Sequence, residues 1–283
     1  MTERTSVRLA RGADADVLSR HGIPSGRERT VAVAECNGAV AGALSAIARP
    51  FESEALGRRT LHIDTVAAWG GDDVLPILAA GALDVLGTGG CQLVTCRRAE
   101  GERDVLAALQ AGGFRVIECL LTLARPLTED PTQAGADVAL AGEADAEGCA
   151  AVGRSAFRYD RFHADPAIDN SAADALKALW ARNAVRGRAD AVFITKDKGA
   201  VTGFNACLRR GDTAVIDLIG VAPGHQGKGL GRALTAAALA HYRGKAARMT
   251  VGTQSCNVTS LGLYQSMGFR IEASALTLHA HLP

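Results

Sequence analysis

The feature that most constrains this chain is a repeat within its own sequence. Gly113-Phe114-Arg115 recurs as Gly268-Phe269-Arg270, and Leu121-Thr122-Leu123 recurs as Leu276-Thr277-Leu278, in each case 155 positions later. Because the offset is the same at both places, the register between them has no gap. Such a repeat predicts two copies of one folding unit.

The repeat extends upstream in the same order. Gly38-Ala39-Val40-Ala41-Gly42 resembles Gly199-Ala200-Val201-Thr202-Gly203, and Ile63-Asp64 resembles Ile216-Asp217, at offsets that drift as the loops differ in length. A chain of 283 residues is also long for one core, since single cores rarely grow beyond roughly 250 residues. Both observations favour two domains.

The boundary between the copies falls in the polar stretch from Thr128 to Gly135, whose Pro and Gly are typical of a linker. We predict a domain at residues 1–127 and a second at residues 137–283. Each copy is expected to be a mixed α/β (α+β) unit. In the second copy the pattern predicts a helix capped by Ser171-x-x-Asp174 and ending near Gly187. It then predicts a hairpin-linked meander of strands up to Val221, with a turn at Asp197-Lys198-Gly199. Helices from Gly229 and Ser260 and a last strand from Phe269 to His279 complete the copy.

Composition excludes several partner classes. The chain has 31 Lys+Arg against 30 Asp+Glu and no basic run, so we expect no nucleic-acid or membrane partner. Its seven cysteines are scattered without metal-ligand spacing, which predicts reduced core thiols and no metal. The N-terminus lacks a leader-like apolar run, and no stretch approaches the ~18 apolar residues of a membrane span, which predicts a cytoplasmic protein. A homodimer is left open.

The sharpest motif runs from Ile216 to Arg232, where an apolar strand is followed by a glycine-dense turn and a helix. Glycines let consecutive N–H groups converge on an anion, and the start of a helix adds partial positive charge. A pyrophosphate suits such a site. A Walker loop is excluded because Gly229 follows Lys228 where Ser or Thr is required, and a dinucleotide fingerprint is excluded because Arg248 to Gly252 offers no acidic residue.

The motif resembles the coenzyme A loop of the GNAT acyltransferase superfamily, which is Gln/Arg-x-x-Gly-x-Gly/Ala after Val-x-Pro. Here Val221-Ala222-Pro223 precedes Gln226-Gly227-Lys228-Gly229-Leu230-Gly231. A second family motif, Asn-x-x-Ala-x-x-x-Tyr-x-x-x-Gly-Phe, is matched by Asn257, Ser260, Tyr264, Gly268 and Phe269, with Ser260 in place of the usual alanine. The resemblance covers roughly residue 189 to the C-terminus and implies an N-acetyltransferase that uses acetyl-CoA.

The resemblance also implies roles for residues. The backbone amides of Gln226, Gly227, Lys228, Gly229, Leu230 and Gly231, with Arg232 at the helix start, would hold the pyrophosphate. The main chain of Ile219, Gly220 and Val221 would pair with the pantetheine, and Asn257 would bond it. Tyr264 would face the thioester sulfur, where a phenol can protonate the departing thiolate.

The attacking amine must lose a proton, because a primary amine is mostly protonated at neutral pH. Asp217 and His163 are the candidate bases, with a water relay as the alternative. Asp64 occupies the position of Asp217 in the first copy, which favours a structural role for this aspartate. His163, which precedes Asp165-Pro166, is equally well explained as a cap for the following turn.

The first copy is predicted to be degenerate. At the offset of 155, Tyr264 corresponds to Leu109, and the glycine loop corresponds to a segment containing Asp72 and Asp73. Carboxylates there would repel a pyrophosphate. The first copy is therefore expected to shape the cleft or complete the core.

The acceptor is indicated by Phe157 to Pro166, which resembles the matching segment of the dTDP-fucosamine acetyltransferase group. That group implies a small-molecule acceptor, a primary amine on an amino sugar or nucleotide-linked amino sugar. Arg158 and Arg161 would bind its anionic group and Phe162 would stack on a ring, although buried anchors are the commoner role of aromatics. Amino acids, peptides and aminoglycosides stay open as acceptors, and a non-catalytic acyl-CoA sensor stays open as the second function.

Overall fold

The computed structural model describes residues 5–128 and 137–283, so the predicted linker lies outside the described residues except for Thr128. The chain divides into two compact units. The first unit contains Met1–Glu118 and Ala275–Pro283, and the second contains Cys119–Ser274. Both are mixed α/β units, which confirms the predicted fold class.

The first unit is a sheet in the order β1-β2-β3-β4-β5-β12, in which β4 and β5 run parallel. Its strands are β1 (Thr5–Leu9), β2 (Arg29–Cys36), β3 (Ala39–Ala48), β4 (Thr60–Ala68), β5 (Leu93–Ala99) and β12 (Arg270–His281). Its helices are α1 (Ala15–Arg20), α2 (Pro50–Leu56), α3 (Val74–Gly87) and α4 (Arg103–Ala111). The apolar faces of α3 and α4 bury Leu78, Leu109 and Phe114 against the sheet.

The second unit repeats this plan in the order β6-β11-β10-β9-β8-β7, with β10 and β11 parallel. Its strands are β6 (Arg115–Pro126), β7 (Ala139–Leu140), β8 (Ala191–Asp197), β9 (Ala200–Arg210), β10 (Thr213–Val221) and β11 (Arg248–Gln254). Its helices are α5 (Ala146–Ala156), α6 (Arg161–Ala164), α7 (Asn170–Asn183), α8 (Leu230–Tyr242) and α9 (Val258–Ser266). Helices α8 and α9 bury one apolar cluster around Phe269, and α5 and α7 bury another around Phe204.

The sequence repeat corresponds to a hydrogen-bond pattern that occurs once in each unit. Helices α4 and α9 start and stop 155 positions apart. After each helix a phenylalanine N–H donates to the carbonyl five residues earlier, Phe114 to Leu109 and Phe269 to Tyr264, both at 3.0 Å. The glycine before each phenylalanine has a left-handed φ, 101° in the first unit and 85° in the second, a conformation that favours glycine.

The last strand of each unit comes from the other copy, which the sequence repeat did not predict. Strand β12 pairs with β5, placing Leu278 opposite Cys96, and β6 pairs with β11, placing Leu123 opposite Val251. Both strands carry the same Leu-Thr-Leu pattern, so each supplies the apolar face that either sheet needs. The compact units therefore differ in content from the predicted domains at residues 1–127 and 137–283.

Local differences are small. Helix α7 is capped by Asp169, whose carboxylate accepts from the N–H of Ser171 at 2.6 Å, so the predicted cap at Ser171 was two residues too late. The helix ends at Asn183 in a wide turn, Ala184–Arg188, with Gly187 at φ 102°. Of the helices that the structure describes, none has both the length and the apolar run needed to cross a membrane.

Candidate functional site

A bulge in β10 separates it from its parallel neighbour. Strands β10 and β11 pair only from Thr213 to Ile216. Ile216 lies opposite Cys207, and Leu218 lies opposite Ala206, the residue before Cys207 in β9. Asp217 between them has no residue opposite it and is the extra residue of the bulge. Beyond the bulge β10 follows β9 to Val221, while β11 stays with β6. Among residues 5–128 and 137–283, no strand therefore pairs with the edge of β10 that faces β11 after Asp217.

The backbone groups on this open edge belong to Ile219 and Val221. The N–H of Ala222 donates to Thr202 at 2.9 Å, on the β9 side. Backbone groups alternate in direction along a strand, so those of Gly220 also point to β9 and those of Ile219 and Val221 point to the opening. This direction is the one that main-chain pairing with an extended ligand requires.

The glycine loop ends in the backbone amides of Gly227, Lys228 and Gly229. Gly227 and Gly229 have φ of 74° and 80°, and the space where a side chain would begin is open at both. Within the part of the chain that the structure describes, no acceptor binds the N–H groups of Gly227, Lys228 or Gly229. Gly229 caps α8, whose first N–H groups lack partners within the helix and carry its positive dipole end. These donors fit a pyrophosphate.

Side chains around the loop are held by short contacts. Lys228 Nζ donates to the carbonyl of Gly224 at 3.0 Å, and Arg232 donates to Ser266 at 2.6 Å. Gln226 Nε2 donates to the carbonyl of Val221 at 3.0 Å. A ligand that pairs with this carbonyl must displace the Gln226 amide.

Tyr264 lies in the core beneath α9. It is 2% exposed and packs edge-on against Phe269 with ring centroids 5.7 Å apart. Burial raises the pKa of its hydroxyl above the usual value of 10.0, so the phenol is protonated at physiological pH.

Helices α8 and α9 pack closely at Gly231. Leu263, the neighbour of Tyr264, lies 3.3 Å from the place where a Cβ on Gly231 would stand. The small residue at 231 thus lets α8 and α9 approach each other closely.

Asn257 caps α9. Its Oδ1 accepts from the N–H of Ser260 at 3.2 Å. This bond fixes the side chain at the start of the helix and leaves its amide nitrogen to donate elsewhere. The proposed contact with pantetheine is therefore limited to donation from Nδ2.

Asp217 forms an ion pair with Arg188 at 2.7 Å. Arg188 is the last residue of the wide turn after α7, and its guanidinium lies 5.9 Å from the ring of Trp180. The carboxylate is 21% exposed. The structure thus places Asp217 in the bulge, where its charge is matched by a cation that the sequence did not single out.

His163 is held between two carboxylates. Its Nδ1 lies 2.6 Å from Asp160 and its Nε2 lies 3.1 Å from Asp174. Burial on its own would lower the pKa of His163, but the hydrogen bonds and charge of Asp160, with the bond to Asp174, raise it above the usual value. Both ring nitrogens thus contact carboxylates and the side chain is 4% exposed, so neither nitrogen is open to a ligand amine. We therefore correct the assignment of His163 as a base.

The three predicted acceptor contacts have different exposures. The Arg158 side chain is 60% exposed and lies 3.6 Å from Asp174, so a ligand can reach it. Phe162 is fully buried and Arg161 lies over its ring at 4.4 Å. Phe162 is therefore a core anchor and not a stacking platform, while Tyr159, at 49% exposure, is the aromatic open to a ligand.

Lys177 is a charged residue of this region that the sequence patterns did not single out. Its ammonium lies 3.3 Å from Asp160 and is almost completely buried. Asp174 and Lys177 are three residues apart and share one face of α7, a spacing visible in the sequence. Their meeting with Asp160 and His163 depends on tertiary structure, which the spacing does not reveal.

Part of the chain is similar to known proteins. Residues 156–269 match the Acetyltransferase (GNAT) family. Over 136 residues the chain is 34% identical to the spore coat polysaccharide biosynthesis protein SpsD of Bacillus subtilis (strain 168). This match covers 48% of the chain and 47% of SpsD, so the chain spans about half the length of that relative.

Solved structures share the fold. A GCN5-related N-acetyltransferase from Sphaerobacter thermophilus has a TM-score of 0.64 at 14% identity, covering 98% of this chain and 95% of its own. A tandem GNAT protein from the clavulanic acid biosynthesis pathway has a TM-score of 0.59 at 14% identity, covering 98% of each chain. At these identities the likeness concerns the fold alone.

The fold and the site together define an α/β protein of two similar units, with a glycine loop beside an open strand edge in the second unit. Residues 156–269 of that unit match the acetyltransferase (GNAT) family, and the fold of the whole chain is similar to that of a tandem GNAT protein.

Proposed function

We propose that the chain transfers the acetyl group of acetyl-CoA to a primary amine of a small molecule, in the first place an amino sugar or nucleotide-linked amino sugar. One observation carries the proposal. The free amides of Gly227, Lys228 and Gly229 lie at the end of the strand whose Ile219 and Val221 backbone faces an opening. The loop amides suit a diphosphate, and the open strand edge suits an extended group such as pantetheine.

In the proposed reaction the loop amides and Arg232 hold the diphosphate, and the open edge of β10 aligns the thioester. The amine nitrogen attacks the carbonyl carbon, the carbon–sulfur bond breaks, and the thiolate takes the proton of Tyr264. The amine loses one proton to water before attack and a second one after it, and the Tyr264 phenolate recovers its proton from solvent. Positioning and proton donation are contributions that a preorganised site supplies.

The acceptor is proposed from the segment between α5 and α7. Arg158 and Tyr159 are its exposed cationic and aromatic side chains, a pair suited to the phosphate and ring of a sugar nucleotide. The relative SpsD is described as a polysaccharide biosynthesis protein, which supports a sugar acceptor. Amino acid, peptide and aminoglycoside amines are the alternatives.

The test is release of free thiol from acetyl-CoA with a panel of amines, with the acetylated product confirmed by mass spectrometry. The panel comprises glucosamine, a nucleotide-linked amino sugar, an aminoglycoside, single amino acids and a short peptide. We expect thiol release with the sugar amines above the rate without amine. If calorimetry shows acetyl-CoA binding but no amine releases thiol, the chain is an acyl-CoA sensor.

A further inference from the structure

The second unit contains a buried group of charges that the proposed chemistry does not use. Asp160 lies at its centre and accepts three contacts, from the N–H of Phe162 at 3.1 Å, from His163 at 2.6 Å and from Lys177 at 3.3 Å. Burial would raise the pKa of Asp160, but the charge of Lys177 and the bond from His163 outweigh it and hold the pKa well below the usual range. Asp160 is therefore ionised.

Lys177 is a buried cation of this group. Its side chain is 5% exposed, and its ammonium lies 4.5 Å from the ring centroid of Trp180, 5.1 Å from that of Phe157 and 5.7 Å from that of Phe162. Ammonium groups within about 6 Å of an aromatic face are attracted to it, more strongly when water is excluded. Lys177 thus joins helix α7 to both ends of the segment that precedes it.

Phe157 links this cation to the open edge of β10. Its ring atoms lie 3.4 Å from the place where a Cβ on Gly220 would stand. Gly220 lies between Ile219 and Val221, whose backbone faces the opening. Phe157 therefore packs against the strand that is proposed to align the thioester.

Stability alone does not explain this arrangement. A buried ion pair often contributes no more to stability than apolar residues of the same volume, and buried polar groups instead specify one geometry in some systems. Here the geometry specified is that of residues 157–164, which carry the exposed Arg158 and Tyr159.

We propose that Lys177 is a positioning residue, which holds residues 157–164 against Gly220 so that the acceptor amine meets the acetyl group. The proposal rests on the proposed function. The proposal predicts an effect on amine binding alone, because loss of the Lys177 charge disorders the acceptor segment and leaves the pyrophosphate loop intact.

The experiment compares Lys177→Met, which keeps the aliphatic stem, with Lys177→Arg, which keeps the charge. The control is Lys196→Met, which breaks another lysine–aspartate pair, with Asp145 at 2.6 Å. We expect Lys177→Met to raise the KM for glucosamine, or for the panel amine that wild type acetylates best, at least tenfold. The acetyl-CoA Kd by calorimetry should stay within twofold, and Lys177→Arg should recover most of the loss.

A second readout is independent of turnover. In a Trp69→Phe background Trp180 is the one remaining tryptophan, and it lies beside Lys177. We expect Lys177→Met to at least double the quenching of its fluorescence by acrylamide, with Lys196→Met unchanged. This readout decides the proposal if no amine is acetylated, so that its failure is distinct from failure of the proposed function.

An unchanged amine KM, an equal loss of amine and acetyl-CoA affinity, or unchanged quenching would overturn the proposal. If Lys177→Met does not fold, the double variant Lys177→Met/Asp160→Asn removes both charges and is measured in the same way. Unaltered kinetics and quenching in that variant would show that the charges do not position the segment.

Discussion

Strand β4 of the first unit and β10 of the second have the same bulge. Each pairs with its parallel neighbour over four residues, and each then bulges at an aspartate, Asp64 in β4 and Asp217 in β10. Asp64 pairs with Arg29 and Asp217 pairs with Arg188, both at 2.7 Å. The diverging strands are therefore a property of the fold, present in both copies.

The loop after the bulged strand differs between the two units. In the first unit the N–H groups of Trp69 and Gly70 both donate to the carbonyl of Ala41 at 2.8 and 3.0 Å, and the Trp69 ring stacks on His21. Asp73 stands at the start of α3, where Gly229 stands at the start of α8. The first unit thus places a carboxylate at the helix start, which disfavours an anion there.

The lengths of two connections differ as well. Between the first helix and the following strand the first unit has residues 21–28, whereas the second has residues 157–190, which include α6 and α7. The sheet is shared, but the proposed anion loop, the phenol and the proposed acceptor segment belong to the second unit. The two copies are therefore separated by the residue at the helix start, by Tyr264 in place of Leu109 and by one longer connection.

The largest predicted effect comes from Tyr264, which corresponds to the buried Leu109 of the first unit. Tyr264→Phe keeps the ring against Phe269 and removes only the proton donor. We expect turnover to fall about 100-fold or more, the range for a general acid. Steady-state thiol release measures turnover, and calorimetry should show an unchanged acetyl-CoA Kd.

The control for this substitution is Tyr242→Phe, since the Tyr242 hydroxyl is also buried, at the end of α8. Equal turnover in wild type and Tyr264→Phe would remove the phenol from the mechanism and would leave the second unit with no catalytic advantage over the first at this position.

Sequence patterns predicted what depends on local chemistry. Short-range rules predict the glycine turns after α4 and α9, the hairpin at Lys198-Gly199 and the bends of the glycine loop. Left-handed residues and helix starts are determined by residues within a few positions. The structure has the first hairpin residue at φ 49° and the second at 84°. For the same reason β10 ends at Val221, as predicted.

The missed features depend on distant partners. The exchange of β6 and β12 was not predictable because both strands present the same apolar pattern. The role of His163 depends on Asp160 and Asp174, and the burial of Phe162 depends on packing beneath Arg161. Sequence spacing alone does not identify these partners.

The second prediction concerns Gly229. The corresponding residue of the first unit, Asp73, has a φ of −80°. Gly229→Val puts a branched side chain at φ 80° and into the open space before the loop. Left-handed backbone costs such a residue about 1–2 kcal/mol, and relaxation of the loop would turn its amides away from the diphosphate. We expect the acetyl-CoA Kd, measured by calorimetry, to rise about tenfold, which is 1.4 kcal/mol.

Gly211→Val is the matched control, because Gly211 has φ 59° and open space in the turn between β9 and β10. Both variants should lose similar stability in urea, but only Gly229→Val should lose affinity. A similar loss of affinity in Gly211→Val would mean that strain anywhere in the unit weakens binding.

The third prediction compares Asp217→Asn with Asp64→Asn. If the bulge pair serves the fold in both units, each variant should lose about 0.5–1 kcal/mol of unfolding free energy, as expected for a partly exposed pair, and turnover should fall less than threefold. Urea unfolding and thiol release measure the two quantities. A 100-fold loss of kcat in Asp217→Asn alone would make Asp217 the base and would contradict the water route.

The smallest effect is expected in the pH dependence of stability, and it concerns the segment that the first unit lacks. The groups facing His163 are Asp160 and Asp174, with Lys177 and Arg158 paired to the same carboxylates. Because the folded pKa of His163 is raised, its contribution is complete below the unfolded pKa of about 6.5 and is lost as pH rises through the folded value. Urea unfolding between pH 6 and 9 should show a decline that His163→Gln reduces. His241→Gln should instead remove a gain in stability that is complete once the pH exceeds about 6.5, because burial and the charge of Lys245 lower the pKa of His241. Identical slopes in wild type and His163→Gln would show that the raised pKa of His163 does not contribute to stability.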